Sequence, residues 1–160
     1  MNWQEVCESP YLKDLPFKFE LNGYGQILAT PFKNVHAVLK GEIIYKLNEL
    51  TKNTGKVFPE CPIQTGDNVK VADVVWISQE RYNQVKHEIA YSLAPEICIE
   101  VISASNTKKE MLEKMRLYFE AGAKEMWTCD EAGKISFYNQ EGNIPQSLLI
   151  TEFPKNIGVA

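Results

Sequence analysis

At 160 residues, with 44% apolar and 24% charged side chains, the chain has the composition of one compact domain, which excludes wholesale disorder, collagen-like repeats and a continuous coiled coil. A formal net charge of −4 and a pI near 5.3 exclude a general nucleic-acid coat, whose affinity comes from a surplus of Lys and Arg, but are compatible with an enzyme that engages nucleic acid through a local basic patch and a metal. No apolar run approaches the ~20 residues that span a bilayer, and Met1 to Pro10 carries Glu5 and Glu8 instead of a basic stretch leading into an apolar one, so a cytoplasmic protein with no membrane association is expected.

The first sixteen residues, with Pro10 and Pro16, read as a short arm or helix. Phe17-Lys18-Phe19-Glu20-Leu21 alternates apolar and polar, Asn22-Gly23-Tyr24-Gly25 supplies turn residues tolerant of positive φ, and Gln26-Ile27-Leu28-Ala29 opens a second strand that Pro31 ends. Residues 17–29 are therefore predicted to form a hairpin. Val35, Val38, Leu39, Ile43, Leu47 and Leu50 recur at three- and four-residue steps and predict a helix over 35–51. Gly41 weakens that helix by about 1 kcal/mol relative to alanine. Residues 56–63 form a candidate strand that Pro59 and Pro62 push towards an edge or a bulge. After the turn Thr65-Gly66-Asp67-Asn68 comes a β-branched strand, residues 69–77, with Asp73 inside its apolar run. Residues 79–94 are polar and ambiguous, with partial helix expected.

Residues 97–102 make the most apolar strand, again with one internal carboxylate, Glu100. Ser103 to Thr107 is a capping cluster, and Glu110, three residues beyond Thr107, completes a capping box. The helix it opens runs to Ala121, with Gly122 as the residue just past its end. Residues 125–128 and 135–138 are a final strand pair, and the tail after Gly142 reads as loop. The expected class is α/β, or α+β, with one mixed sheet flanked by helices. It forms a single domain over 1–160: an N-terminal arm and hairpin to about 31, a core over about 35–140 and a tail over 141–160.

Cys7, Cys61, Cys98 and Cys129 contain no C-x-x-C, and His36 and His87 are far apart, so no zinc site is expected. Cys61 and Cys98 sit in apolar segments and read as core hydrophobes. No nucleophile elbow or glycine-rich phosphate loop is present.

The chemistry gathers on Asp73 and Glu100. Each is the single carboxylate in a strand built mainly of Val, Ile, Ala and Cys, and a carboxylate there costs several kcal/mol if buried without a partner. Two such groups brought together repel one another, and a divalent cation between them relieves the repulsion. Oxygen donors with few histidines favour Mg²⁺ or Mn²⁺ over zinc. On the helix that follows Glu100, Met111, Leu112, Met115, Tyr118, Phe119 and Gly122 fall within an arc of roughly 120°. Lys109, Glu113, Arg116 and Glu120 fall opposite, and Lys114 lies about 60° from Met111 on the rim, where its stem can follow the core while its ammonium reaches the end of the adjoining strand. Glu42, beside the apolar face of the first long helix, is a candidate third carboxylate, and a solvent-facing role is its alternative.

Several stretches resemble the Uma family of putative restriction endonucleases, a branch of the PD-(D/E)xK nuclease superfamily. They are residues 15–21 (LPFKFEL), 69–76 (VKVADVVW) and 100–103 (EVIS), then Lys114-x-x-x-Tyr118 and residues 121–127 (AGAKEMW), with the block from Pro95 to Asp130 the most specific. The resemblance implies a restriction-endonuclease-like αβββαβ core and a metal-dependent phosphodiesterase acting on DNA. It implies Mg²⁺ or Mn²⁺ held by Asp73, Glu100 and the Val101 carbonyl, with Glu42 as a further acidic residue. Position 102, where the parent motif has lysine, is Ile102, and Lys114 is the matching lysine on the following helix. Lys108, Lys109 and Lys124 are expected to hold flanking phosphates, and the protein is expected to work as a homodimer. The alternative is a nuclease fold whose site is degraded and which acts in dimerisation or partner binding.

Overall fold

Local signals set the helix ends. The computed structural model describes residues 1–158. In it α1 (Trp3–Glu8) opens on the Asn2–Glu5 capping box. Helix α2 (Asn34–Thr51) ends where Lys52 turns left-handed, α3 (Gln79–Val85) is capped by Ser78, and α4 (Lys108–Glu120) opens on the expected Thr107–Glu110 capping box. The segment 79–94, ambiguous in sequence, thus contains one two-turn helix. Gly122 has φ of 110°, and a Cβ there would lie 2.6 Å from Leu93 Cδ1, so glycine is required just past the end of α4.

The hairpin β1 (Phe17–Leu21) and β2 (Ile27–Pro31) forms a sheet of its own, in register from Phe17↔Pro31 to Leu21↔Ile27. The main sheet has six strands: β3 (Lys56–Thr65), β4 (Asn68–Ile77), β5 (Ile97–Val101), β6 (Glu125–Cys129), β7 (Ile135–Asn139) and β8 (Gly142–Ile144). They lie in chain order, and all neighbours are antiparallel except β5 and β6, which are parallel. Helix α4 makes that crossover, as a parallel pair requires. β8 lies where the sequence reads as loop: its three residues extend the β7 hairpin, and Gly142 enters at φ 121°.

Two apolar clusters flank the sheet. Leu39, Ile43 and Leu47 of α2 pack with Val74, Ile97, Ile99, Trp127 and Phe137. Met115 and Tyr118 of α4 pack with Cys61, Ala72, Val75, Cys98 and Met126. The sheet is therefore the middle layer of an α/β sandwich, with α2 and α4 on its two sides. Cys61, Cys98 and Cys129 are buried free thiols, as the sequence suggests for the first two, and burial pushes the Cys61 and Cys98 thiols up.

The buried face of α4 differs from the expected one. Leu112 is 53% exposed, whereas Leu117 is 1% exposed and packs near the β3–β4 turn at Gly66. That turn projects beyond the sheet and gives α4 a second surface to cover. The face spanned by Leu117, Tyr118 and Met115 is centred about 20° from Lys114, so this lysine points inwards and not along the rim.

Candidate active site

The site arises where the sheet comes apart. The β4–β5 ladder runs Trp76↔Ile97, Val75↔Cys98 and Val74↔Ile99, so the next residues outward, Asp73 and Glu100, stand opposite one another. On the other side of β4 the register passes from Pro59↔Val74 to Cys61↔Ala72, skipping Glu60 and Asp73, and Glu60 adopts φ 57°. Strand alternation breaks here as well: Ala72 and Val75, three residues apart, belong to the same apolar cluster. The strands splay, and the Val101 N–H, freed from the β4 ladder, donates to Asp73 Oδ2 at 2.8 Å.

Both carboxylates are buried, Asp73 at 5% and Glu100 at 4% exposure, and three lysines compensate them. Lys18 Nζ of β1 lies 3.1 Å from Asp73 Oδ1 and 3.2 Å from Glu100 Oε2. Lys40 of α2 lies 3.6 Å from Asp73 and also contacts Glu60. Lys114 of α4 lies 2.9 Å from Glu100 Oε1 and 2.8 Å from Glu20 Oε2. Tyr118 donates to Glu100 at 2.7 Å, and Glu20 accepts from the Val71 N–H at 2.7 Å, docking the hairpin on β4. Burial alone drives the Asp73 carboxyl up, but the Lys18 ammonium, hydrogen bonding with the Glu100 side chain, the Lys40 ammonium and the Val101 N–H outweigh it and hold Asp73 below the usual carboxylate range. Burial likewise opposes the charge on Lys18, yet Glu100, Asp73 and Glu20 together hold its ammonium above the ordinary lysine range. Burial, followed by the neighbouring Glu100 charge, pushes the Tyr118 phenol well up, so Tyr118 is a hydrogen-bond donor here.

The cluster forms the floor of a cavity of about 620 Å³ between the hairpin, the start of α2 and the start of α4. Five lysines and His36 line it against six carboxylates, so the cleft is mixed in charge and not a basic groove. His36 contacts Glu131 at 3.1 Å on one wall.

The structure brings together Asp73, Glu100, Val101 and Lys114. Glu42 stands apart: it is exposed, about 200° around α2 from Lys40, and it is Lys40 that this helix sends to the site. Lys108 and Lys109 are exposed at the first turn of α4, next to Asn106 and Glu110 on the cleft wall. Lys124 is at the other end of the sheet. It precedes Glu125, which pairs with Ile97 at the start of β5, whereas Glu100 pairs with Thr128, roughly 10 Å further along. A lysine beside the β6 entrance cannot flank a cleft at the β5 exit.

Sequence reasoning missed Lys18, Glu20 and Lys40. Lys18 and Glu20 are the polar face of an alternating strand, which by default is read as solvated. Here that face turns onto buried carboxylates. His36 and Lys40 are four apart on α2, the helical spacing that puts two side chains on one face, and this was the available signal.

Among the described residues, no group of three or more His, Cys, Asp or Glu forms a closed metal cage. The donor chemistry at Asp73 and Glu100 nevertheless suits a hard divalent cation: two buried carboxylates beside a strand end, with no imidazole or thiol among their side-chain partners. The position between them is a cation position, since the Lys18 ammonium is bound there.

A mixed sheet between two helices, opened around opposed strand carboxylates and a helix lysine, defines a nuclease-like fold of the restriction-endonuclease type. The chain belongs to the Uma2 family, described as "Putative restriction endonuclease", which matches residues 3–158. Its fold is similar to that of a putative nuclease of DUF820 from Anabaena variabilis, at 18% identity, with a TM-score of 0.74 over 98% of this chain and 95% of that one. No curated protein matches. No helix among the described residues is long and apolar enough to cross a membrane.

Proposed function

We propose that the protein is a metal-dependent endonuclease that hydrolyses DNA phosphodiester bonds in the cleft above Asp73 and Glu100. The observation that carries this reading is the contact of Lys114 Nζ with Glu100 at 2.9 Å, which supports a helix lysine serving in place of the strand lysine absent at Ile102. Mg²⁺ or Mn²⁺, held by Asp73, Glu100 and the Val101 carbonyl, would supply Lewis-acid polarisation of the scissile phosphate and of an attacking water. Lys114 contributes positive charge where negative charge develops on the phosphate, and Tyr118 fixes the Glu100 carboxylate that orients Lys114. Lys108 and Lys109 flank the entrance and bind neighbouring phosphates, while Lys40 and His36 line the opposite wall.

The test is nicking of supercoiled DNA with Mg²⁺ or Mn²⁺ and with EDTA. Asp73→Asn, Glu100→Gln and Lys114→Ala should each abolish cutting, and Lys109→Ala should leave most of it. Equal residual cutting by all variants would identify a contaminant. A second reading, a nuclease fold without catalysis, is favoured by the three lysines that balance Asp73, Glu100 and Glu20, and cutting lost with EDTA and with Asp73→Asn excludes it.

The assembly proposed with this function is a homodimer, because two antiparallel DNA strands present equivalent phosphates to a symmetric pair. Tyr11 and Tyr24, 87% and 90% exposed, are the aromatic groups on the arm and hairpin available for such a contact. A monomer mass by light scattering at micromolar concentration overturns it.

A further inference from the structure

Lys18 has a geometry that its place on a hairpin does not require. Its ammonium is within 3.2 Å of both strand carboxylates, and Asp73 and Glu100 are its hydrogen-bond partners. It holds both proposed metal-ligand side chains at once, in the position a divalent cation would need. With Lys18, Lys40 and Lys114 set against Asp73, Glu100, Glu20 and Glu60, three ammoniums already offset most of the negative charge before any metal arrives. Adding a divalent ion to a buried cluster whose negative charge is already largely offset costs more than adding it to one with all of that charge free.

We infer that Lys18 is a tethered counter-cation that competes with the metal, so that metal loading requires its ammonium to leave the Asp73–Glu100 pair. This rests on the reading of Asp73 and Glu100 as metal ligands. The exit is structurally available. The hairpin is a separate two-stranded sheet, docked on β4 through Glu20 to Val71 N–H and through Lys70 to the Leu21 carbonyl, and neither contact involves the Lys18 side chain. Lys18 also lines the cleft, so a released ammonium stays in the space where an anionic phosphate would lie. The device keeps two buried carboxylates from repelling one another in the metal-free protein. It weakens metal binding to the free protein, and a phosphate that accepts the displaced ammonium favours metal and anion together, since coupling between two ligands is reciprocal.

The experiment measures Mn²⁺ binding without substrate, by calorimetry and by electron paramagnetic resonance of bound Mn²⁺. The proteins are the wild type, Lys18→Met, Lys18→Gln, Lys18→Arg and, as site control, Asp73→Asn. The expected result is a Kd lower by on the order of tenfold or more in Lys18→Met and Lys18→Gln, no tightening in Lys18→Arg, and loss of binding in Asp73→Asn. The two neutral variants differ in packing, and either one folded, as shown by its melt, carries the test. Asp73-dependent binding of equal or lower affinity in the folded neutral variants overturns the competition and leaves the metal site standing. No Asp73-dependent Mn²⁺ binding in any of the proteins overturns the metal reading and this inference with it.

Discussion

Glu100→Gln is the perturbation that best separates a compensated carboxylate pair from a repelling one. If Asp73 and Glu100 simply faced each other, neutralising one would relieve strain and leave stability unchanged or raised. The structure shows another situation. Glu100 is 4% exposed and receives Lys18 at 3.2 Å, Lys114 at 2.9 Å and Tyr118 at 2.7 Å. A glutamine keeps the shape but loses the charge that two ammoniums and a phenol address. Lys18 retains Asp73 and Lys114 retains Glu20, so neither cation is stranded, and the full cost of about 3–5 kcal/mol for breaking a buried pair is not reached. Three weakened charge-assisted bonds that share partners should cost about 2–3 kcal/mol together. For a chain of this length that lowers Tm by about 4–12 °C. The assay is a thermal melt at neutral pH with EDTA present, confirmed by urea unfolding. Tyr118→Phe, which removes one donor, should cost about 1 kcal/mol, and the double variant less than the two separately. A Glu100→Gln variant melting at or above the wild type would refute compensation by the lysines.

Three further outcomes follow from particular contacts. Glu125, 2% exposed, accepts from the Trp127 indole, the Ser147 hydroxyl and the Leu148 and Leu149 N–H groups; Glu125→Ala should cost at least about 3 kcal/mol and open residues 147–150 to limited proteolysis, whereas uncut protein would show that this segment is held by packing alone. Gly122→Ala forces a Cβ against Leu93 at φ 110° and should destabilise by more than about 1 kcal/mol, read by denaturant midpoint. Asp73 has its carboxyl held below the usual carboxylate range by Lys18, Glu100, Lys40 and Val101 against the opposing effect of burial; its contribution is complete above about pH 5 and is lost as pH falls through the folded value, so the stability gap between wild type and Asp73→Asn should narrow in acid, and a constant gap would mean that Asp73 is not ionised in the fold.

The framework was legible because short-range chemistry wrote it. The capping box at Thr107 and Glu110, the left-handed turn glycine at Gly122 and the α2 stripe of Leu39, Ile43 and Leu47 all sit where the periodicity and caps put them. The single carboxylate in each of two apolar strands likewise identified Asp73 and Glu100, since an apolar run tolerates such a residue only with a dedicated partner. What the sequence withheld was register between distant elements. That Asp73 and Glu100 stand opposite depends on Val74 pairing with Ile99, a fact about two strands over twenty residues apart. The orientation of Lys114 depended on Leu117 having a surface to cover, which the Gly66 turn supplies from another part of the chain.

The hairpin shows the same limit more sharply. Alternation in Phe17 to Leu21 established which residues share a face, and Lys18 and Glu20 do share one. Periodicity does not say which face meets water. In a lone hairpin the apolar face packs and the polar face is solvated. Here Phe17 and Phe19 line a cavity together with Trp3 and Val6 of α1, Pro62 and Val71, while the opposite face closes over the carboxylates of β4 and β5. Both faces are used because the main sheet ends in buried negative charge, and a strand with one cation and one carboxylate at two-residue spacing is the shape that can cover it. The charges of the site are therefore explained only as a set. Asp73 and Glu100 can be buried because Lys18, Lys40 and Lys114 reach them from three different elements, and Lys18 and Lys114 can be half-buried because Glu20 lies close to both.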